Sequence, residues 1–117
     1  MTATQSRKSS LETCIEDCFQ CLKDCENCAT ACLYGDMEQI MARCIASCRD
    51  CADICALCTR FMIRDSEFHG RVCQVCAEIC DHCASECEKY DNDYCRRCAE
   101  SCRRCAESCR RMTTAMA

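Results

Sequence analysis

Cysteine is the residue type in this sequence whose spacing most clearly implies chemistry. The chain has 117 residues, and 21 of them are cysteine. They form four runs, and within each run the step from one cysteine to the next alternates between three and four residues. That step places every cysteine of a run on one stripe of an α-helix, so the sequence predicts four helices that each carry a stripe of thiols. The runs are Cys14, Cys18, Cys21, Cys25, Cys28 and Cys32; Cys44, Cys48, Cys51, Cys55 and Cys58; Cys73, Cys76, Cys80, Cys83 and Cys87; and Cys95, Cys98, Cys102, Cys105 and Cys109.

Thiols in this register are spaced for metal binding. Residues three or four apart on a helix have Cβ atoms about 5–6 Å apart. A metal with bonds of about 2.3 Å to sulfur spans two sulfurs that lie up to roughly 4.6 Å apart. Neighbouring thiolates of one stripe can therefore bind one ion. Ions between facing stripes would join the four runs into one ladder of sulfur.

The charge of the thiolates indicates which metal fits. Ligation deprotonates cysteine, so the 21 thiolates would bring about 21 negative charges into the core, and burial without compensation would be prohibitive. Zinc sites with four thiolates each would number about five and leave roughly 11 charges uncompensated. Copper(I) is soft, monovalent and bound by two or three thiolates, so on the order of 20 ions would neutralise the core. The balance between thiolate charge and metal charge therefore favours Cu(I).

Other metal chemistries stay open at this point. Zinc or mixed-metal sequestration would use the same thiolate ligands. Iron–sulfur electron-transfer proteins also contain Cys-x-x-Cys motifs, although those of ferredoxins lie on loops with a neighbouring proline, and this chain has no proline. A thiol redox enzyme fits less well, because thiols in the middle of buried helices lack the setting that activates a thiolate.

Other soft donors continue the stripes beyond the terminal cysteines. Met37 and Met41 precede the second run in steps of four and three, and Met62 follows it by four residues. His69 precedes the third run by four residues, and Met112 follows the fourth by three. Since thioethers and imidazole bind Cu(I), we predict all five as further metal ligands. Core packing is the alternative for the methionines, and a hydrogen-bonded core histidine is the alternative for His69.

The gaps between the runs are short, which predicts an all-α fold, an antiparallel up-down-up-down four-helix bundle with a cysteine-lined core. Residues 1–8 are polar and predict a flexible N-terminal tail, and residues 9–117 form one bundle domain. The first and third breaks contain helix-ending and helix-capping residues, Gly35 with Asp36 and Asp91 with Asn92. The predicted helices span about residues 9–33, 36–63, 66–89 and 92–113.

Composition argues against several classes of function. The net charge of −4 offers no general attraction to nucleic acid, and no apolar run is long enough to span a membrane. The amino-terminal sequence has no apolar segment typical of a secretory signal, so we expect a cytoplasmic protein with reduced thiols. Only two histidines, His69 and His82, are present, and no catalytic arrangement accompanies them. We therefore expect no enzyme, and we expect His82, which lies off the thiol stripe, at the surface.

The charged residues and the stripe ends suggest self-association and a route for copper. The first helix is acidic and the fourth is rich in arginine, so the two helices can pair within one chain or between copies. Asp36, Glu38, Asp91 and Asp93 make one bundle end anionic, and this is the end at which Met37 and Met41 lie. We predict that copper enters there.

Four motifs carry a resemblance to a known family. They are CIEDCFQCLKDCENC, CADICALC, CAEICDHCASEC and CRRCAESCRRCAESC, one in each predicted helix. In these motifs the chain resembles the cytosolic members of the cysteine-rich four-helix-bundle copper storage proteins. The resemblance implies a bacterial protein that holds many Cu(I) ions on core thiolates and assembles as a homotetramer. Family members often have histidines in the loop before the fourth helix, where this chain has Tyr90, Asn92 and Tyr94.

Overall fold

The computed structural model describes residues 3–36 and 39–116, and the side chains of residues 9–36 and 39–113. Four helices account for most of this part of the chain, and it contains no strand. They are α1 (Ala3–Leu33), α2 (Ala42–Ile63), α3 (His69–Cys87) and α4 (Asp93–Met116). The all-α prediction is confirmed.

Each helix packs against two others in a closed ring. The contacting pairs are α1 with α2, α2 with α3, α3 with α4, and α4 with α1. Because sequential helices are joined by short connections and are neighbours, they run antiparallel, and the bundle measures 52 × 22 × 18 Å. The predicted up-down-up-down topology is therefore confirmed. Among the described residues, no helix has both the length and the apolar composition needed to cross a bilayer.

The thiols occupy the bundle axis. All 21 cysteines are free and completely buried. Alanines such as Ala52, Ala77, Ala84 and Ala106 are also buried and lie directly after a cysteine, where their small side chains let the helices approach closely. The predicted cysteine-lined core is confirmed, and its apolar packing comes largely from sulfur and methyl groups.

Two helices begin later than predicted, and one begins earlier. Helix α2 starts at Ala42 rather than near 36; of the described residues just before it, Met41 is buried, whereas Gln39 and Ile40 are exposed and gain no core contact from a longer helix. Helix α3 starts at His69, since Asp65 takes a positive φ of 48° in the turn before it. Helix α1 starts at Ala3, so residues 3–8 of the predicted tail have helical backbone.

The start of α4 agrees with its predicted cap. Asn92 Oδ1 accepts a hydrogen bond of 2.8 Å from the backbone N–H of Cys95, which satisfies one of the free donors at the helix start. The predicted cap of α2 at Asp36 is wrong, because the helix begins after Met41, which makes no side-chain cap hydrogen bond. The tail boundary at residue 8 stays a prediction.

Candidate metal centre

The sulfur atoms form layers across the bundle, and each layer takes one cysteine from each helix. Sulfur–sulfur distances of 3.4 to 4.0 Å connect the thiols both within and between layers. Antiparallel packing of four cysteine stripes that share the same alternating three- and four-residue step brings their thiols to the same levels along the bundle axis. From the end where α1 begins, the layers are Cys14, Cys58, Cys73 and Cys109; Cys18, Cys55, Cys76 and Cys105; Cys21, Cys51, Cys80 and Cys102; Cys25, Cys48, Cys83 and Cys98; and Cys28, Cys44, Cys87 and Cys95, with Cys32 beyond the last.

These distances fit metal coordination without rearrangement of the helices. With metal–sulfur bonds of about 2.3 Å, the sulfurs of a tetrahedral site lie about 3.8 Å apart and those of a trigonal site about 4.0 Å apart. Within the described residues, several groups of four cysteines have all their sulfurs within 4.8 Å of one another. Examples are Cys18, Cys76, Cys105 and Cys109; Cys21, Cys55, Cys80 and Cys105; Cys21, Cys25, Cys51 and Cys102; Cys25, Cys83, Cys98 and Cys102; and Cys28, Cys32, Cys44 and Cys95.

Neighbouring groups share cysteines. Cys21, Cys25, Cys102 and Cys105 each belong to two of these groups. If every group held an ion, each shared sulfur would bridge two ions. The arrangement therefore suits a metal that accepts bridging thiolates in a continuous cluster, and it suits isolated four-thiolate sites less well.

The thiols share protons in an interior that excludes water. Burial raises the pKa of Cys32 to about 12. Hydrogen bonds from neighbouring thiols, that of Cys109 foremost, lower the pKa of Cys58 to about 6. Similar bonds, that of Cys102 foremost, lower the pKa of Cys83 to about 6. Thiolates thus survive in this core only where other thiols donate to them.

Among the described side chains, no lysine or arginine balances charge in the core. In the part of the chain with described side chains, no lysine or arginine is buried. The buried polar side chains there are Ser47, Thr59, His69, Glu86, Ser101 and Ser108. A fully deprotonated core of thiolates can therefore be neutralised only by bound metal ions.

The structure places the predicted methionine and histidine ligands at the two ends of the thiol layers. Met41 is buried where α2 begins, and Met62, His69 and Met112 are buried at the opposite end. We call these the Met41 end and the His69 end. Met37 lies outside the described residues. His82 is exposed, as predicted.

His69 has one satisfied ring nitrogen and one unsatisfied ring nitrogen. Its Nδ1 lies 2.8 Å from the backbone oxygen of Ser66 and 3.8 Å from a carboxylate oxygen of Asp65. Its Nε2 is buried without a hydrogen-bond partner in the described part of the chain. An unpaired buried polar atom costs about 1–3 kcal/mol, so this nitrogen requires an explanation.

The Met41 end carries a pocket with a volume of about 460 Å³. The hydroxyl of Tyr90 donates a hydrogen bond of 3.0 Å to the backbone oxygen of Ile40 and so ties the connection before α2 to the one before α4. Burial, followed by the nearby thiols, raises the pKa of Tyr94. Sequence reasoning missed the Tyr90 contact, because it joins residues 50 positions apart. The pocket is lined by Gly35, Asp36, Met41, Lys89, Tyr90, Asp91, Asn92 and Tyr94.

Two arginines of α4 pair with acids in or directly after α3, whereas Arg96 and Arg111 pair with acids near or within α4 itself. Arg103 lies 3.2 Å from Asp81 and 2.7 Å from Glu88, and Arg110 lies 2.6 Å from Asp81. The expectation that acids of α1 would receive the arginines of α4 within one chain is therefore wrong for Arg103. Arg103 and Arg110 lie on the side of α4 that faces α3, and their long side chains reach across the groove.

Acids of α1 take serine partners instead. The hydroxyl of Ser101 donates to Asp24, and that of Ser108 donates to Asp17. Sequence reasoning missed these pairs, although one signal was available. Both serines directly precede a cysteine of the stripe and are seven residues apart, so they lie at the edge of the core.

A closed four-helix bundle whose axis is a continuous series of free thiols defines a class of protein that binds soft metal ions in quantity. The sequence profile of the family described as copper storage protein matches residues 7–114. This chain belongs to that family.

Solved structures and a curated sequence show the same similarity. The chain is 45% identical to the Cu(I)-bound copper storage protein BsCsp3, with a TM-score of 0.86 over 89% of this chain and 98% of that one. It is 31% identical to a cytosolic copper storage protein from Streptomyces lividans, with a TM-score of 0.91 over 94% and 97% of the two chains. It is also 46% identical over 67 residues to the uncharacterised cysteine-rich protein YhjQ of Bacillus subtilis strain 168. That match spans 57% of this chain and 62% of the length of YhjQ.

Proposed function

We propose that this protein stores Cu(I) in the cytoplasm, with on the order of 20 ions bound to the thiolates of its core. The single observation that carries the proposal is the set of five sulfur layers with no buried lysine or arginine among the described side chains. The copper storage family and the Cu(I)-bound relative support the choice of metal. The relative from Streptomyces lividans that is described as cytosolic supports the location.

Shared sulfurs favour Cu(I) over zinc. A store of isolated tetrahedral zinc sites needs separate sets of four cysteines, whereas the groups in this core overlap. Zinc would also leave a large negative charge within the bundle. Zinc or mixed-metal sequestration is therefore the second candidate, and the four-cysteine groups are the observation that keeps it open.

The cysteines serve as ligands rather than as catalysts in this proposal. They are all buried, whereas a redox catalyst needs a thiolate that its substrate can reach. We accordingly propose that the protein is not an enzyme. Metallated protein should show no turnover with thiol, disulfide or electron-carrier substrates.

Copper enters at the Met41 end in this proposal. The pocket there is lined by Met41, Asp36 and Asp91, together with Lys89, and Asp91 is paired with Arg96. Anionic groups concentrate a cation, and the thioether can pass it to Cys44 one turn further along α2. Met37, a predicted ligand outside the described residues, precedes Met41 in the sequence.

We also propose that the protein forms a homotetramer, and that it binds neither nucleic acid nor membrane. The exposed apolar side chains of Leu57, Phe68 and Val75 support contact with further copies of the chain. The net charge of −4 is unfavourable for polyanions. Sedimentation at several concentrations tests the assembly, and a monomer at every concentration would contradict it.

An anaerobic titration tests the storage function. Reduced apoprotein is titrated with Cu(I) in competition with a chromophoric chelator, and saturation on the order of 20 ions per chain is expected. A parallel titration with Zn²⁺ is the control for metal choice. Saturation with five or fewer Cu(I) ions would refute the proposal and favour zinc-like sites.

A further inference from the structure

Nε2, the unsatisfied ring nitrogen of His69, lies at the His69 end of the thiol layers. The imidazole is 1% exposed. Because Nδ1 faces the backbone oxygen of Ser66 at 2.8 Å, it carries the proton, and the proton-free Nε2 presents its lone pair. Nε2 lies on the opposite side of the ring from the turn and has no hydrogen-bond partner among the residues whose side chains are described. A buried lone pair of this kind is a vacant metal-binding donor.

Two thioethers surround the same end of the core. Met62 and Met112 are completely or almost completely buried. Met62 follows Cys58 by one helical turn, and His69 precedes Cys73 by one turn. Since Cys58 Sγ and Cys73 Sγ lie 3.4 Å apart, the next layer outward from them contains Met62 opposite His69.

Helix α4 completes this layer. Met112 follows Cys109 by three residues, and Cys109 Sγ lies 3.7 Å from Cys14 Sγ in the terminal thiol layer. The hydroxyl of Thr113 lies 3.3 Å from the backbone oxygen of Gly70 and 3.2 Å from that of Cys109, and its one proton is donated to either of them. The contact with Gly70 holds the end of α4 against the residue that follows His69.

We infer that His69 Nε2, with the thioethers of Met62 and Met112, forms a terminal Cu(I) site that contains no cysteine. The inference rests on the proposed storage of Cu(I) and adds a site of different chemistry to it. Imidazole and thioether are uncharged, so an ion bound there keeps its positive charge. The adjacent layer of Cys14, Cys58, Cys73 and Cys109 supplies the thiolates that balance this charge.

The alternative explanation is that Met62, His69 and Met112 only close the end of the bundle by apolar packing. Methionine is a common packing residue, and a plug would need no donor nitrogen at position 69. A tautomer with Nε2 free and turned away from solvent gives a plug no advantage, because the orphaned lone pair is unfavourable in an apolar setting. The same tautomer supplies a metal site with a nitrogen ligand.

Nitrogen-15 NMR tests the site on the wild-type protein, so no variant has to fold. The chain has two histidines, His69 and the exposed His82, and labelling histidine alone gives one pair of ring signals for each. Before metal is added, His69 should show the tautomer with the proton on Nδ1. During titration with Cu(I), its Nε2 signal should shift strongly while the His82 signals stay in place. With Ag(I) as a probe, the same nitrogen should acquire a coupling to silver.

Variants give an independent readout. His69→Ala should lower the Cu(I) capacity by one ion and leave the helical circular dichroism unchanged, whereas the matched control His82→Ala should leave both unchanged. Met62→Leu and Met112→Leu preserve packing volume and should weaken the shift of the His69 Nε2 signal. An Nε2 signal that stays constant to saturation would overturn the terminal site and leave the storage function intact. Saturation at five or fewer ions would overturn the storage function, and the His69 signal would still decide the terminal site.

Discussion

Cys58 Sγ and Cys73 Sγ lie 3.4 Å apart across the interface of α2 and α3, the closest approach of two sulfurs among the described residues. The pair belongs to the last thiol layer before the His69 end. It fixes the register of α2 against α3 at this end of the core. Met62 and His69, each four residues outward from this pair along its helix, are both buried.

Serine substitutions should affect copper capacity according to position in the layers. Cys102 belongs to two four-cysteine groups in the middle of the bundle, so Cys102→Ser should lower capacity by on the order of two to three ions. Cys32 lies beyond the last layer, so Cys32→Ser should remove about one ion. Competition with a chromophoric Cu(I) chelator measures both. Equal losses would contradict the idea of bridging sulfurs.

Copper removal should destabilise the protein. Ligands that bind only the folded state stabilise it by about 2.7 kcal/mol for each site at a concentration 100 times its Kd. Because many ions bind one core, the copper-loaded form should unfold far above the apo form in thermal scans. A strong chelator should lower the midpoint to that of the apoprotein, and it should act slowly because the core is enclosed. An unchanged midpoint after complete removal would contradict this expectation.

Replacement of Met37 and Met41 together by leucine should slow the loading of Cu(I). Leucine preserves the packing volume and removes the thioethers at the proposed entrance. Stopped-flow measurement with a Cu(I) donor gives the rate, and His69→Ala is the matched variant at the opposite end. If only the His69 substitution slows loading, copper enters at the other end.

Tyr90→Phe should have the opposite effect on the rate. It removes the hydrogen bond to the backbone oxygen of Ile40, which contributes about 0.5–1 kcal/mol. The connection over the Met41 end should then open roughly two- to fivefold more often and admit copper faster by a similar factor. Tyr34→Phe is the control, because Tyr34 is largely exposed. Equal rates for wild type and Tyr90→Phe would show that this contact does not limit entry.

Ser101→Ala should reduce stability without affecting copper. The hydroxyl of Ser101 is buried and donates to Asp24 between α1 and α4. Its loss should lower the free energy of unfolding of the apoprotein by about 1 kcal/mol. Ser10→Ala, at an exposed position, is the control, and urea denaturation measures both. A change in Cu(I) capacity would indicate that this pair also takes part in metal binding.

The sequence by itself determined the number of helices, the direction in which the thiols face and the choice of a soft metal. These properties follow from local periodicity, because steps of three and four residues put cysteines on one face of any α-helix. It also placed Met41, Met62, His69 and Met112 in line with the stripes. The negative charge of the thiolates, which favours Cu(I), follows from the number of cysteines alone.

Only the tertiary structure decided which cysteines share a layer and which sulfurs belong to two metal-sized groups. Such register depends on how four helices slide and rotate against each other, and residues far apart in sequence set it. For the same reason the partners of Arg103 and Arg110 on α3 and the tie between Tyr90 and Ile40 appeared only in the fold. The fold also brings the Ser66 carbonyl to Nδ1 of His69 and leaves Nε2 without a partner among the described residues, and the ligand role of His69 stays a prediction.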